Sequence, residues 1–142
     1  MDKRVSIGWT FLRVAFGLLL SLAFGRQKLS SEVMTGFVGA VAALGFPVPT
    51  LFAWCSALTE LAGGLLFAAG LLTRPVAAII SFNMIVAIYS QRGGPLVMAV
   101  PAIQFLVVAI AGVIAGGGPL SVDARWRHRT SAHTPAAVAA RE

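Results

Sequence analysis

Apolar residues run nearly unbroken from Val5 to Gly25, Leu51 to Leu72, Pro75 to Tyr89 and Leu96 to Ala115, and polar or turn-forming residues close each run. Gly25-Arg26-Gln27-Lys28 ends the first and Thr73-Arg74-Pro75 parts the second from the third. Gln91-Arg92-Gly93-Gly94-Pro95 parts the third from the fourth, and Gly116-Gly117-Gly118-Pro119 ends the last. Glycine frees the backbone and proline removes a donor, so both punctuate helices. A bilayer core takes about 20 apolar residues per helix. The pattern therefore predicts an all-α fold, a transmembrane four-helix bundle, with the third span extending into Ser90 and Gln91 to gain length.

The stretch from Ser30 to Leu44 has a different character. Ser30 and Ser31 are cap candidates, Glu32 falls in the first turn, and Val33, Phe37, Val38, Val41 and Leu44 are apolar before Gly45 and the Pro47-Val48-Pro49 turn. It is short and interrupted by glycine, which predicts one interfacial or re-entrant helix between the first two spans rather than a fifth span. Lys3 and Arg4 followed by an apolar run ending in Ala23-Phe24-Gly25 resemble a signal peptide. The length of that run and Arg13 within it favour an uncleaved first helix.

Composition sharpens this picture. Of 142 residues 58% are hydrophobic and only 11% charged, with a mean hydropathy of +0.86. A soluble domain of this size could not hide so much apolar surface. The net charge of +6 does not point to nucleic acid, because Arg125, Arg127, Arg129 and His128 cluster directly after the last apolar run. A basic cluster beside a membrane suits anionic lipids. Residues 1–123 thus read as the membrane domain and 124–142 as a basic tail without a periodic apolar face, expected to be disordered.

Charge asymmetry predicts orientation. With both termini cytoplasmic, that side carries Lys3, Arg4, Arg74, Arg125, Arg127, Arg129 and Arg141, against Arg26, Lys28 and Arg92 on the other. The positive-inside rule therefore favours cytoplasmic ends for what is expected to be a multi-pass protein of the inner (plasma) membrane. Trp9, Trp54, Tyr89 and Trp126 fall near span ends, where aromatic residues favour the interface.

Candidate chemistry is sparse. Cys55 stands alone, without a partner for a disulfide or a CxxC motif, and is expected to be a small buried residue. His128 and His133 lie in the tail, and no metal, haem or iron–sulfur pattern is evident. The informative residues are polar ones inside the spans, since lipid leaves each needing a partner. From about 1.5 Å of rise per residue, Arg13 and Asn83 lie roughly 12 Å, Gln104 roughly 16 Å and Glu60 roughly 18 Å from the inner side. A shared layer follows, with Arg13 and Glu60 expected to pair inside it. Small neighbours Ser56, Ala57, Gly63 and Gly64, and Gly112 and Gly116 on the fourth helix, allow close packing. Two readings stay open: the layer only holds the bundle together, or it meets a proton or a quinone head group.

Gly25-Arg26-Gln27-Lys28-Leu29, Leu44-Gly45-Phe46-Pro47-Val48-Pro49, Glu60-Leu61-Ala62-Gly63-Gly64 running to Gly70-Leu71-Leu72-Thr73-Arg74, and Gly118-Pro119-Leu120-Ser121-Val122-Asp123 stand in this order along the chain. Together they resemble the G-x-x-K-L, L-G-x-P-x-P, E-x-x-G-G…G-L-L-T-R and G-R-x-S-x-D patterns of the DoxX family of small four-helix membrane proteins. Pro119 stands where a basic residue is common in that family. Val100, Pro101 and Gln104 stand where many members carry an acid.

The resemblance implies a membrane subunit of an oxidoreductase or redox-homeostasis assembly, quinone-linked or thiol- and sulfur-linked. The positions it marks are Arg13, Lys28, Glu60, Arg74, Ser121 and Asp123. Arg13 and Glu60 are the catalytic candidates, and Arg13, Lys28, Glu60, Asn83 and Gln104 the ligand-binding ones. Lys28 reads foremost as a helix-end anchor. Arg74, Ser121, Asp123, Arg125 and Arg127 are candidates for soluble redox-enzyme partners. The alternative is a non-catalytic scaffold, with a small transporter weaker because four spans lack an inverted repeat. Self-association into a homo-oligomer is compatible with either.

Overall fold

The computed structural model describes residues 2–126; the first residues of the tail, Ala124, Arg125 and Trp126, are helical rather than disordered and Ala124 is buried, while the rest of the tail from Arg127 onward, with its expected disorder and lipid contacts, lies outside the described residues. All regular elements among those residues are helical. Helix α1 (Lys3–Leu19) runs on through a π-helical segment (Leu20–Gly25) and, after Arg26, a 3-10 turn (Gln27–Leu29). Helix α2 covers Ser31–Ala43. Helices α3 (Pro49–Leu58) and α4 (Gly64–Ala69) are joined by a second π-helical segment, Thr59–Gly63, into one stretch. Helix α5 is Thr73–Ser90, and α6 is Val100–Ala115.

Three stretches are long and apolar enough to cross a membrane: Lys3–Leu29 with 27 residues, Pro49–Ala69 with 21 and Thr73–Ser90 with 18. Only 22%, 33% and 28% of their most apolar windows are buried within the molecule. Phe11, Leu51, Ile79, Phe82 and Val107 are among the large apolar side chains that face outward, as lipid-facing residues would.

The fourth apolar run departs from the expected single helix. It is divided into a 3-10 turn (Leu96–Met98) and α6, because Pro101 enters the first turn of α6 and has no N–H to continue a helix from before it. At 16 residues α6 is shorter than a full span, and it packs chiefly along α5.

The stretch between the first two spans is a helix, as its pattern predicts. Ser30 caps α2 by accepting from Val33 N at 3.4 Å, and Gly45, at φ +84°, ends it. Its Met34 and Val41 bury against Ala53 and Ala57 of α3, with Phe37, Val38 and Phe46 alongside. A separate core of Leu20, Phe67, Ala77, Ile80, Met84, Phe105 and Ala109 joins the π-helical segment of the first span to α4, α5 and α6.

The first two spans touch backbone to backbone. A Cβ on Gly17 would lie 2.5 Å from Gly64 O, one on Gly64 2.6 Å from Gly17 O, and one on Gly25 2.5 Å from Leu61 N. Gly17, Ser21 and Gly25 recur every fourth residue, so they make the small-residue seam that lets these helices approach.

Candidate ligand cavity

Glu60 sits in the π-helical segment of the second span, where one extra residue per turn re-aims side chains. It is 4% exposed. Its Oε1 accepts from Lys28 Nζ at 2.7 Å and from Asn83 Nδ2 at 3.2 Å. Its Oε2 is buried without a hydrogen-bond partner among the described residues. Lys28 comes from the 3-10 turn that closes the first span, and its Nζ also stands 4.2 Å from the centre of the Phe37 ring of α2. One ammonium therefore ties the first span to the second by charge and to α2 by a cation–π contact.

These three polar residues form part of the wall of a cavity of about 520 Å³. Apolar side chains line it, among them Leu20 and Phe105 of one core, Phe37 and Phe46 of the other, and the exposed Phe24 and Phe82. Ser56, Thr59 and Gln91 add further polar atoms, and Cys55 opens onto the same space. A mostly apolar pocket with a few convergent polar groups is the usual form of a small-molecule site. Cys55 is exposed rather than buried as expected, because α3 turns it toward the cavity while Ala53 and Ala57 take the packed face.

The expected pair of Arg13 with Glu60 does not form. Arg13, 1% exposed, instead donates from Nη1 to Phe67 O and Ala68 O, both at 2.7 Å. Those carbonyls belong to the last turn of α4, where the chain leaves the helix at Gly70 with φ +72°. Terminal carbonyls lack helical donors and carry the negative end of the dipole, so they attract the guanidinium downward and away from Glu60. Lys28, read foremost as an anchor, takes the acid instead.

Gln104 is likewise not in a shared layer. It is exposed, off the face that α6 buries through Ala102, Phe105, Val108, Ala109 and Gly112. Asn83 does join the site, through Glu60.

The remaining candidates build a lock at the end of the molecule holding Arg13. Asp123 accepts from Leu72 N at 2.7 Å through Oδ1, and from Thr73 N and Thr73 Oγ1, both at 2.9 Å, through Oδ2. Its own N–H donates to Gly70 O at 3.0 Å. The carboxylate so caps α5 from a distance and holds Leu72 at its left-handed φ of +50°. Ser121, 1% exposed, donates to Gly118 O at 2.7 Å and accepts from Ala124 N at 3.1 Å. Arg74 and Arg125 are exposed, Arg74 donating to Ile114 O at 3.3 Å. Arg127 lies outside the described residues.

No group of three or more metal-ligating side chains occurs among the described residues. A family model described as DoxX matches residues 8–93, more than half of the chain, and its range contains Lys28, Glu60 and Asn83. No curated protein and no solved structure matches the chain.

Proposed function

This chain belongs to the DoxX family, and from that premise we propose that it is the membrane subunit of an oxidoreductase or redox-homeostasis assembly that receives a quinone-type head group beside Glu60. The observation that carries the reading is the unpartnered, buried Oε2 of Glu60 in the wall of an apolar cavity. A bare acceptor in such a place costs free energy unless something donates to it. Lys28, with two N–H groups beyond the one given to Glu60, can donate to a ring oxygen, and Glu60 can accept from a ring hydroxyl. An apolar tail would fit among the phenylalanines. Electrons and protons would be exchanged with a partner subunit.

In this reading the chain crosses the plasma membrane four times with cytoplasmic termini. Leu96–Met98 and α6 together make the fourth crossing, and α2 lies at the outer interface over the cavity. The Arg13, Thr73, Ser121 and Asp123 lock then sits at the cytoplasmic end and has no part in the chemistry. Exposed Arg74 and Arg125 there would meet soluble partners or anionic lipid headgroups.

Purification in mild detergent, followed by organic extraction and identification of co-purified proteins, tests the proposal. Bound quinone is expected, and Glu60→Gln should lower both its recovery and quinone-dependent electron transfer in membranes by at least tenfold. Protein partners recovered without quinone, and electron transfer unchanged by Glu60→Gln, would favour the scaffold instead.

A further inference from the structure

The hydrogen-bonding state of Glu60 restricts which head group the cavity suits. Oε1 already takes two donors, Lys28 Nζ and Asn83 Nδ2. Oε2 takes none among the described residues, and at 4% exposure the residue is closed to bulk solvent. A carboxylate held in an ion pair offers acceptors only. A ligand oxygen that is itself only an acceptor would set lone pairs against lone pairs and leave Oε2 unsatisfied. A ligand hydroxyl would satisfy it with a hydrogen bond to a charged group, the stronger kind. Phe24, Phe37, Phe82 and Phe105 around the same space offer edges and faces to an aromatic ring.

We propose that the cavity selects an apolar ligand whose aromatic head carries a hydroxyl, a phenol or the dihydroxy form of a quinone-type ring, over the same head without a donor, with Glu60 Oε2 as the accepting atom. The inference rests on the reading of the cavity as a ligand site and adds the hydrogen-bond polarity of what enters. For a ring that interconverts between carbonyl and hydroxyl forms, it means that the reduced form binds more tightly than the oxidised one.

Cys55 provides the readout. It is the one cysteine of the chain, it is exposed, and it lines the same cavity. The rate at which an apolar maleimide alkylates it therefore reports whether the cavity is filled. The intact protein in detergent is titrated with para-nonylphenol and, in parallel, with para-nonylfluorobenzene, whose fluorine is close to a hydroxyl in size but donates nothing. The phenol is expected to protect Cys55 at roughly tenfold lower concentration.

In Glu60→Gln the amide oxygen can keep the donors of Lys28 and Asn83, which puts an NH2 group where Oε2 stood. The phenol then loses its hydrogen bond to a charged acceptor and can only accept from that NH2 group, so its advantage should shrink. Equal protection by the two probes in the unmodified protein overturns the selection while leaving the cavity a ligand site. Protection by neither overturns the ligand site, and the selection with it. A phenol preference that persists undiminished in the Gln variant assigns the discrimination to another group and overturns the role of Glu60. The comparison in the unmodified protein stands whether or not the variant folds.

Discussion

At the scale of single residues, the interior holds two cations with different partners, and the difference follows from what each can reach. Arg13 finds two carbonyls in the last turn of α4, where a multi-donor guanidinium suits neutral acceptors. Lys28, a compact charge on a flexible stem, reaches the single carboxylate oxygen of Glu60 at 2.7 Å. The Lys28 side chain is 20% exposed and that of Glu60 5%. Removing only the lysine would leave the deeper group charged without its counter-ion, whereas removing both charges leaves nothing to compensate. Lys28→Met should therefore destabilise the protein by on the order of 3 kcal/mol. Lys28→Met combined with Glu60→Gln should recover at least half of that loss. Thermal unfolding of the parent, the two single variants and the double variant in one detergent measures the coupling, and a double variant as unstable as the sum of the singles would show that the pair is not a unit. The sequence exposes Glu60 plainly, as an acid inside an apolar run. Its partner is less legible, because depth estimated from a uniform rise per residue places Arg13 within reach and takes no account of where side chains find better acceptors. The π-helical segments at Leu20–Gly25 and Thr59–Gly63 also have no signature in hydrophobic periodicity.

At the scale of elements, the cavity depends on how α1 and its π-helical extension are held against the second span. Along the seam that Ser21 shares with Gly17, Gly25 and Gly64, the three glycine positions leave no room for a Cβ, since the atoms it would strike are largely backbone. Glycine there is a packing requirement, whereas Gly36 and Gly39 on α2 have nothing within 4 Å of an added Cβ. The two kinds of glycine should respond oppositely to alanine. Gly64→Ala should cost about 2 kcal/mol by forcing the helices apart, while Gly39→Ala should be neutral or stabilise α2 by up to about 1 kcal/mol. Unfolding midpoints in detergent distinguish them, and a Gly64→Ala protein as stable as the parent would mean that the close approach contributes little. This seam is legible in the four-residue recurrence of small residues, a signal as strong as the Gly63–Gly64 and Gly112–Gly116 pairs. The boundaries of α2 and α5 were legible because capping serines, glycine and proline act locally. The division of the fourth run was not, because Leu96 to Met98 are as apolar as the helix that follows.

At the scale of the whole molecule, the distribution of basic residues between the two ends argues for one orientation. Of the basic residues at the end where the first span closes, Arg26, Lys28 and Arg92, the lysine is neutralised by Glu60. At the opposite end the described residues Lys3, Arg4, Arg74 and Arg125 are all exposed. That end also gathers the start of α1 and the end of α6, where Trp9 Nε1 donates to Gly116 O at 2.9 Å. Orientation follows the count of basic residues near the span ends, with acids contributing little, so the exposed cations at the end holding the termini carry the proposed orientation. The proposed orientation puts exposed Glu32, at the start of α2, outside and exposed Arg125 inside. In a Cys55→Ala background, a cysteine introduced at Glu32 should react with a membrane-impermeant maleimide in intact cells. One introduced at Arg125 should react only after the membrane is permeabilised. The reverse order would invert the topology, placing the cavity and Glu60 toward the cytoplasm and the exposed arginines where no cytoplasmic partner could reach them. Equal reactivity of both sites in intact cells would contradict an even number of crossings with a fixed orientation, and with it the fourth span built from Leu96–Met98 and α6.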